Sequence, residues 1–167
     1  AVLVLALLVA VASLTAVGFF TSRIGLAVER QAGEVLAADL RLESARPIAD
    51  NYDAEAARRG LRSARLESMP SVVFFGQESS LIALRAVGAG YPLRGRLKTA
   101  DQPFGKGVVT DGIPAPGEAW ADSRLLAKLG AQVGSDLTVG AHTVRVTRVL
   151  DYRPDQGSGF ADLAATL

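Results

Sequence analysis

The first 22 residues constrain this chain more than any other feature, because none of them carries a charge. Of the first 20, only Ser13, Thr15 and Gly18 fall outside the hydrophobic set. As an α-helix rising about 1.5 Å per residue, such a segment reaches roughly 33 Å, and the hydrocarbon core of a bilayer is about 30 Å thick. Backbone polar groups inside lipid must be paired within the segment, so a single span has to be helical. Residues 1–22 are therefore predicted to be a transmembrane helix.

A cleaved secretory signal is the alternative for this segment, since its apolar region runs for about 7 to 15 residues and ends in an A-x-A-like site. Ala10-Val11-Ala12 imitates that site. Cleavage there would create a new N-terminal segment that is apolar and contains Phe19 and Phe20. The retained span is the favoured interpretation, and the chain is expected to be a piece of a longer protein.

The residues after Arg23 predict that the helix continues beyond the span. Apolar residues recur at helical spacing, with charged residues between them, and Arg30 and Glu34 form an i,i+4 pair. The apolar positions are Ile24, Val28, Ala32 and Val35. Residues 23–37 are predicted to be a helical stalk that can transmit movement, because no Gly/Pro-rich linker interrupts them. The alternative, left open here, is the first helix of a soluble domain packed on its own core.

From residue 38 the pattern indicates a mixed domain. Apolar and charged residues alternate from Ala38 to Leu42, which predicts a half-buried strand ended by Arg46-Pro47. A short helix is predicted over residues 54–59, with Asp53 as its N-cap and Gly60 closing it.

Two strands are then predicted, Ala64 to Phe75 and Leu81 to Val87, joined by a five-residue loop from Gly76 to Ser80. Glycines and prolines punctuate residues 88–107, which predicts loop and edge structure.

The last third gives sharper local signals. Asp122 or Ser123 caps a predicted helix that Gly130 closes. A hairpin is predicted across Gly140-Ala141, running on to Leu150. The predicted fold class is α+β, with one N-terminal transmembrane helix and stalk followed by a mainly antiparallel core domain.

Composition excludes several functions. With 18 Lys plus Arg against 17 Asp plus Glu, the chain lacks the concentrated basic charge that nucleic acid binding requires. It has no cysteine, and its one histidine, His142, is predicted to be an exposed turn residue. No P-loop and no G-x-S-x-G nucleophile motif occurs. We therefore predict no catalytic, cofactor-binding or metal-binding residue, and a protein that is not an enzyme.

Five aspartates and one tryptophan have two interpretations each. Asp50 and Asp53 offer oxygen ligands, but helix capping explains Asp53 more simply. A set of aspartates, Asp151, Asp155 and Asp162, surrounds a glycine-rich turn and is predicted to be a solvated loop rather than an acid–base pair. Trp120, the one tryptophan, is predicted to anchor the core rather than contact a partner.

The ordered motifs of the second half resemble the permease subunits of MacB/FtsX-like ABC transporters. The runs that carry this resemblance are Tyr91–Gly95 (YPLRG), Gly117–Leu126 (GEAWADSRLL), Val133–Gly140 (VGSDLTVG), Arg145–Leu150 (RVTRVL) and Pro154–Phe160 (PDQGSGF). Within that family the chain looks most similar to the bacterial permeases linked to lysophospholipase and lipid handling.

The resemblance implies a protein of the bacterial inner membrane. It implies a MacB-like periplasmic core domain over residues 38–167, with further membrane helices beyond the chain. The implied partners are a cytoplasmic ABC ATPase subunit, the lipid bilayer, and a second permease copy or a periplasmic protein. The implied function is to couple ATP hydrolysis by the ATPase to motion of the periplasmic domain, acting on a lipid or another amphiphile. The alternative function is a single-span, membrane-anchored sensor or binding module.

Overall fold

A computed structural model describes residues 2–156 and 165–166 of the chain. Its first element, helix α1, runs without a break from Val2 to Leu36, a length of 35 residues. The segment Val2–Leu26 is long and apolar enough to cross a membrane. The described side chains between residues 2 and 26 are all exposed, so this part of α1 is not a core helix of the domain. The prediction of an α+β chain with one N-terminal span is confirmed.

The strand predicted from Ala38 to Leu42 is wrong. The chain leaves α1 through Ala37, which has a φ of 53°, and then continues without pairing to any described strand. Leu40 is 84% exposed and Leu42 is 53% exposed. Alternation over so few residues cannot form a strand alone, because a strand needs a partner for its backbone groups.

Helix α2 spans Asn51–Arg58, and Asp50 occupies its N-cap position, but its side chain accepts no capping hydrogen bond from the helix backbone. The prediction that Asp53 caps this helix is therefore wrong. Asp53 lies in the first turn and accepts a hydrogen bond from Nε of Arg65 at 2.7 Å. Gly60, with a φ of 68°, follows the helix end as predicted.

One eight-stranded sheet forms the body of the domain. Its strands are β1 (Leu66–Phe75), β2 (Glu78–Val87), β3 (Leu97–Ala100), β4 (Val108–Thr110), β5 (Glu118–Asp122), β6 (Asp136–Val139), β7 (His142–Tyr152) and β8 (Ala165–Thr166). The strand order is β4-β3-β7-β6-β1-β2-β8, with β5 paired to β7. All pairs are antiparallel except β5 with β7 and β2 with β8.

The β1–β2 hairpin is tighter than predicted. Phe75 pairs with Glu78, so only Gly76 and Gln77 form the turn instead of five residues. Gly76 has a φ of 60°, a conformation that suits a two-residue turn. The polar residues Glu78 and Ser79 were predicted as loop, but their exposed side chains are compatible with a paired backbone.

The prediction of loop and edge structure over residues 88–107 misses an interior strand. Strand β3 pairs with β7 on one side and with β4 on the other. The sequence hides it because it has only four residues between turns. Strand β5 is also absent from the prediction, since its pairing partner in β7 lies more than twenty residues further along the chain.

Helix α3 (Ser123–Leu129) has the predicted caps. The side chain of Asp122 accepts a hydrogen bond from the backbone N–H of Leu125 at 2.7 Å, and Gly130 takes the left-handed conformation that ends the helix. The predicted hairpin across Gly140-Ala141 is also confirmed, with Leu137 opposite Val144.

The core lies where α3 packs on the sheet. Leu125, Leu126 and Leu129 of α3 are all buried. They belong to one apolar cluster with residues from six strands, including Val73, Ile82, Leu137 and Val146. The three leucines lie on one face of α3, so the helix is held to the sheet by apolar contact.

Candidate functional site

An apolar cavity of about 350 Å³ lies beside this core. Its walls come from strands β2, β3, β5, β6 and β7, and from Tyr91, Pro114 and Arg153 in the connecting segments. Leu84, Leu97, Trp120 and Val144 give it an apolar lining. Pockets of roughly 300 to 1,000 Å³ that are mostly apolar, with a few polar groups, are typical of sites for small molecules.

A second depression of about 460 Å³ lies at the start of α3. Polar and charged residues make up most of its lining, among them Ser123, Arg124 and Asp151. The apolar cavity is the stronger candidate, because apolar enclosure is what removes a ligand from water.

A buried ionic cluster stands at the wall of the apolar cavity. Its centre is Asp155, whose side chain is only 1% exposed. Oδ1 of Asp155 accepts a hydrogen bond from the hydroxyl of Tyr91 at 2.7 Å and another from Nη1 of Arg153 at 3.2 Å. Oδ2 accepts from Nη1 of Arg85. Tyr91, Arg85 and Arg153 all line the cavity, so this cluster forms its polar side.

The cluster shifts two pKa values in opposite directions. Burial raises the pKa of Asp155, but the hydrogen bond from Tyr91 and the charges of Arg85 and Arg153 outweigh it and leave that pKa below its usual range. Burial, followed by the negative charge of Asp155 and the hydrogen bond to it, raises the pKa of Tyr91 well above its usual value of 10.0. The cluster therefore holds a charged carboxylate and a protonated tyrosine.

The raised pKa of Tyr91 predicts a loss of stability in alkali. Above about pH 10 the unfolded tyrosine ionises while the folded one keeps its proton, so the folded state binds more protons and the free energy of unfolding falls as pH rises. We expect urea unfolding midpoints, followed by the fluorescence of Trp120, to drop as the pH rises above about 10. Tyr91→Phe is expected to reduce that drop, whereas Tyr52→Phe, at a side chain 57% exposed, is expected to leave it unchanged. If the unfolding midpoint fell equally steeply with pH in Tyr91→Phe and in Tyr52→Phe, the prediction would be contradicted.

The interpretation of the aspartate set as a solvated loop is wrong for Asp155. Asp151 is exposed, as predicted, and Asp162 lies outside the described residues. Asp155 is buried together with Arg85 and Tyr91, which stand 70 and 64 residues away in sequence, so its local sequence gave no sign of these partners. The only local hint is Arg153, two residues earlier, whose Nη1 also donates to the backbone carbonyl of Asp155 at 3.2 Å.

One polar atom of this cluster has no partner. Nε of Arg85 is buried and makes no hydrogen bond with any residue that the structure describes. An unsatisfied buried N–H costs about 1–3 kcal/mol, and more on a charged group. The ionic cluster therefore contains one N–H group that lacks a hydrogen-bond acceptor among the described residues.

The loop that carries Tyr91 also holds the end of α1. The backbone N–H of Arg94 donates to the carbonyl of Ala37 at 2.8 Å. The Arg94 guanidinium makes two hydrogen bonds to Asp39, both at 2.9 Å. Ala37 is only 5% exposed, so the exit of α1 is docked on the domain. The loop from Tyr91 to Gly95 thus connects the cavity wall with α1.

The structure also places the other residues that the sequence analysis singled out. Trp120 is 9% exposed, which confirms its burial, and it also lines the cavity. His142 is exposed at the hairpin turn, as predicted, at the cavity rim. Asp50 and Asp53 both pair with Arg65. Within the described residues no group of three His, Asp or Glu side chains is placed to hold a metal ion.

Comparison with known proteins points to one class, the permeases of ABC transporters. The chain is 30% identical over 163 residues to the uncharacterized ABC transporter permease YbbP of Escherichia coli strain K12. The match covers 98% of the chain and 19% of that protein, so the chain spans about a fifth of the length of this relative. No family model matches the chain, and no solved structure matches it.

The chain is therefore similar to one part of an ABC transporter permease. Within the described residues, helix α1 supplies one segment, Val2–Leu26, that is long and apolar enough to cross a membrane.

Proposed function

We propose that this chain is the N-terminal part of a MacB/FtsX-like permease subunit. In this proposal residues 1–22 cross the bacterial inner membrane, residues 23–37 form a stalk, and residues 38–167 form a periplasmic domain. A separate cytoplasmic ATPase hydrolyses ATP, and the permease relays the resulting motion to the periplasmic domain. The observation that carries the proposal is the similarity to an ABC transporter permease over 98% of the chain.

The geometry of α1 supports the relay. An uninterrupted helix of 35 residues extends about 50 Å, which exceeds the hydrocarbon core by roughly 20 Å. A continuous helix transmits displacement, whereas a flexible linker absorbs it. At its far end the hydrogen bonds of Arg94 to Ala37 and Asp39 fix the helix to the domain. Motion of the span would therefore reach the domain.

The apolar cavity supports an amphiphilic substrate. Its lining is dominated by apolar side chains such as Leu84 and Val144, and its charged lining residues are Arg85, Glu118 and Arg153. A molecule with an apolar body and a polar end matches that arrangement. We therefore include lipids and other amphiphiles in the proposed function.

The relay is tested with two insertions of equal length, one that interrupts helix α1 and one that preserves it. A Gly-Ser-Gly-Ser insertion after Leu26, where the apolar span ends, introduces a flexible joint. Four alanines at the same point add about one helical turn and preserve continuity. Since the chain has no cysteine, Arg58→Cys on α2 provides a single site in it for a fluorescent dye.

The measurement is energy transfer from that dye to an acceptor on the lipid headgroups, in nanodiscs that contain the permease and its ATPase. We expect ATP to change the transfer efficiency in the parent protein and in the alanine insertion, but not in the Gly-Ser insertion. An ATP response that survives the Gly-Ser insertion would overturn the relay. Failure of any ABC ATPase to co-purify with the full-length protein would instead favour the single-span sensor.

A further inference from the structure

We propose that the loop from Tyr91 to Gly95, here called the joint loop, carries motion of α1 into the domain, and that Arg94 is the positioning residue that holds this loop on the helix. The inference rests on the proposed function, since a relay needs a stiff contact between the moving helix and the sheet. It goes further because it names that contact and the strand that receives the motion.

The covalent connection between α1 and the sheet is long and loosely packed. None of residues 39–65 is buried, and helix α2 within this segment has no buried residue either. The segment reaches the sheet where β1 begins, at Leu66. A segment with few buried contacts opens at low cost, and it absorbs displacement as a flexible linker does. Displacement of α1 would therefore deform this segment before it moved the sheet.

The joint loop gives α1 a shorter route to the sheet. The backbone N–H of Arg94 donates to the carbonyl of Ala37 at 2.8 Å, and the Arg94 guanidinium donates two hydrogen bonds of 2.9 Å to Asp39. Ala37 and Ala38 are 5% and 9% exposed, so the exit of the helix is also packed against the domain. Paired hydrogen bonds between a guanidinium and a carboxylate fix orientation as well as position. Arg94 therefore holds the first residues after α1 in one geometry.

The other side of the joint loop lies against the residues that follow β7. The hydroxyl of Tyr91 donates to Oδ1 of Asp155 at 2.7 Å. A Cβ atom added to Gly95 would lie 2.6 Å from Cβ of Pro154, so the loop backbone is in close contact with that proline. Strand β7 pairs with β3, β5 and β6. Motion that reaches the joint loop would thus enter a strand bonded to much of the sheet, beside the cavity that Tyr91 lines.

The joint is tested by the distance between α1 and the sheet in the full-length permease, in lipid nanodiscs without nucleotide. Spin labels are attached at Thr21→Cys on α1 and at Ala127→Cys on α3, two exposed positions. Helix α3 reports on the sheet because its buried leucines pack there. Double electron–electron resonance gives the distribution of distances between the labels. We expect a narrow distribution in the parent protein and one about twofold broader in Arg94→Ala, because the loosely packed segment then carries more of the connection.

Arg145→Ala is the matched control for Arg94→Ala. Arg145 also donates two hydrogen bonds to an exposed aspartate, Asp136, at 2.8 and 2.9 Å, but it lies within β7. This variant should keep the narrow distribution. Urea unfolding midpoints should be alike for the two variants, so a broader distribution in Arg94→Ala alone reports the joint and not the stability of the domain. A distribution as narrow in Arg94→Ala as in the parent protein would overturn the proposal.

Gly95→Ala tests the contact of the joint loop with the residues after β7. Gly95 has a φ of 77°, and the added Cβ would collide with Pro154. Gly60→Ala is its control, because Gly60 has a similar φ of 68° but no atom within 4 Å of an added Cβ. We expect the distance distribution to change in Gly95→Ala and to stay as in the parent protein in Gly60→Ala. Identical distributions in these two variants would overturn the role of this contact, and Arg94→Ala decides the joint even where Gly95→Ala does not fold.

A second measurement separates the joint from the proposed function. A dye at Ala127→Cys and an acceptor on the lipid headgroups follow the domain in nanodiscs that contain the permease and its ATPase. We expect Arg94→Ala to reduce the ATP-driven change in energy transfer by about half, while ATP hydrolysis continues. A change as large as in the parent protein would overturn the joint and leave the proposed function intact. Broadening in Arg94→Ala, in a permease whose parent protein shows no response to ATP, would reject only the proposed function.

Discussion

Replacing Asp155 with alanine is expected to lower the free energy of unfolding by about 3–5 kcal/mol, the range for removing one partner of a buried ion pair. The Asp155 side chain is 1% exposed, and those of Arg85 and Arg153 are 11% and 5% exposed. Without the carboxylate, Arg85 loses its counter-charge and Tyr91 its hydrogen-bond acceptor. Urea unfolding followed by Trp120 fluorescence measures the change.

The matched control for that variant is Asp136→Ala. Asp136 also binds an arginine through two hydrogen bonds, to Nε and Nη2 of Arg145 at 2.8 and 2.9 Å. That pair is exposed, at 50% and 62% of the two side chains, so water replaces the lost contacts. We expect a much smaller loss of stability than for Asp155→Ala. Similar losses of unfolding free energy for both variants would show that burial of the cluster around Asp155 does not stabilise the fold.

Leu126→Ala is expected to lower the free energy of unfolding by about 2–5 kcal/mol, as buried leucine-to-alanine changes do. Leu126 is fully buried between α3 and the sheet, and alanine keeps the helix propensity, so the loss reports packing alone. The same unfolding measurement applies.

Leu40→Ala is the control for Leu126→Ala. Leu40 is 84% exposed, and substitutions at such positions change stability by less than about 0.5 kcal/mol. A loss for Leu126→Ala below about 1 kcal/mol would contradict its place in the core, because the transfer of a leucine side chain out of water exceeds that value.

Both stability predictions bear on the proposed function. The cluster around Asp155 forms one wall of the cavity, and the Tyr91–Gly95 loop that contributes Tyr91 also docks the end of α1. A domain weakened at Asp155 would therefore disturb the cavity and the relay together. Leu126 lies in the core and not in the cavity lining, so Leu126→Ala separates general stability from the site.

Interactions between near neighbours in sequence were predictable. The N-cap of α3 joins Asp122 to a backbone N–H three residues on, and the β6–β7 hairpin closes across Gly140-Ala141. The apolar span needs no partner at all, because its backbone groups pair within the helix. The strand predicted from Ala38 to Leu42 failed for the opposite reason, since a strand forms only where another strand meets it.

The sequence by itself determined the N-terminal helix, the caps of α3, the β6–β7 hairpin and the α+β class, because each of these depends on residues within a few positions of one another. Only the tertiary structure decided the pairing of β5 with β7, the interior place of β3, and the cavity with its ionic wall. Arg85 and Asp155 are 70 residues apart, and neither is unusual in its local sequence. Their burial together depends on how the whole sheet folds.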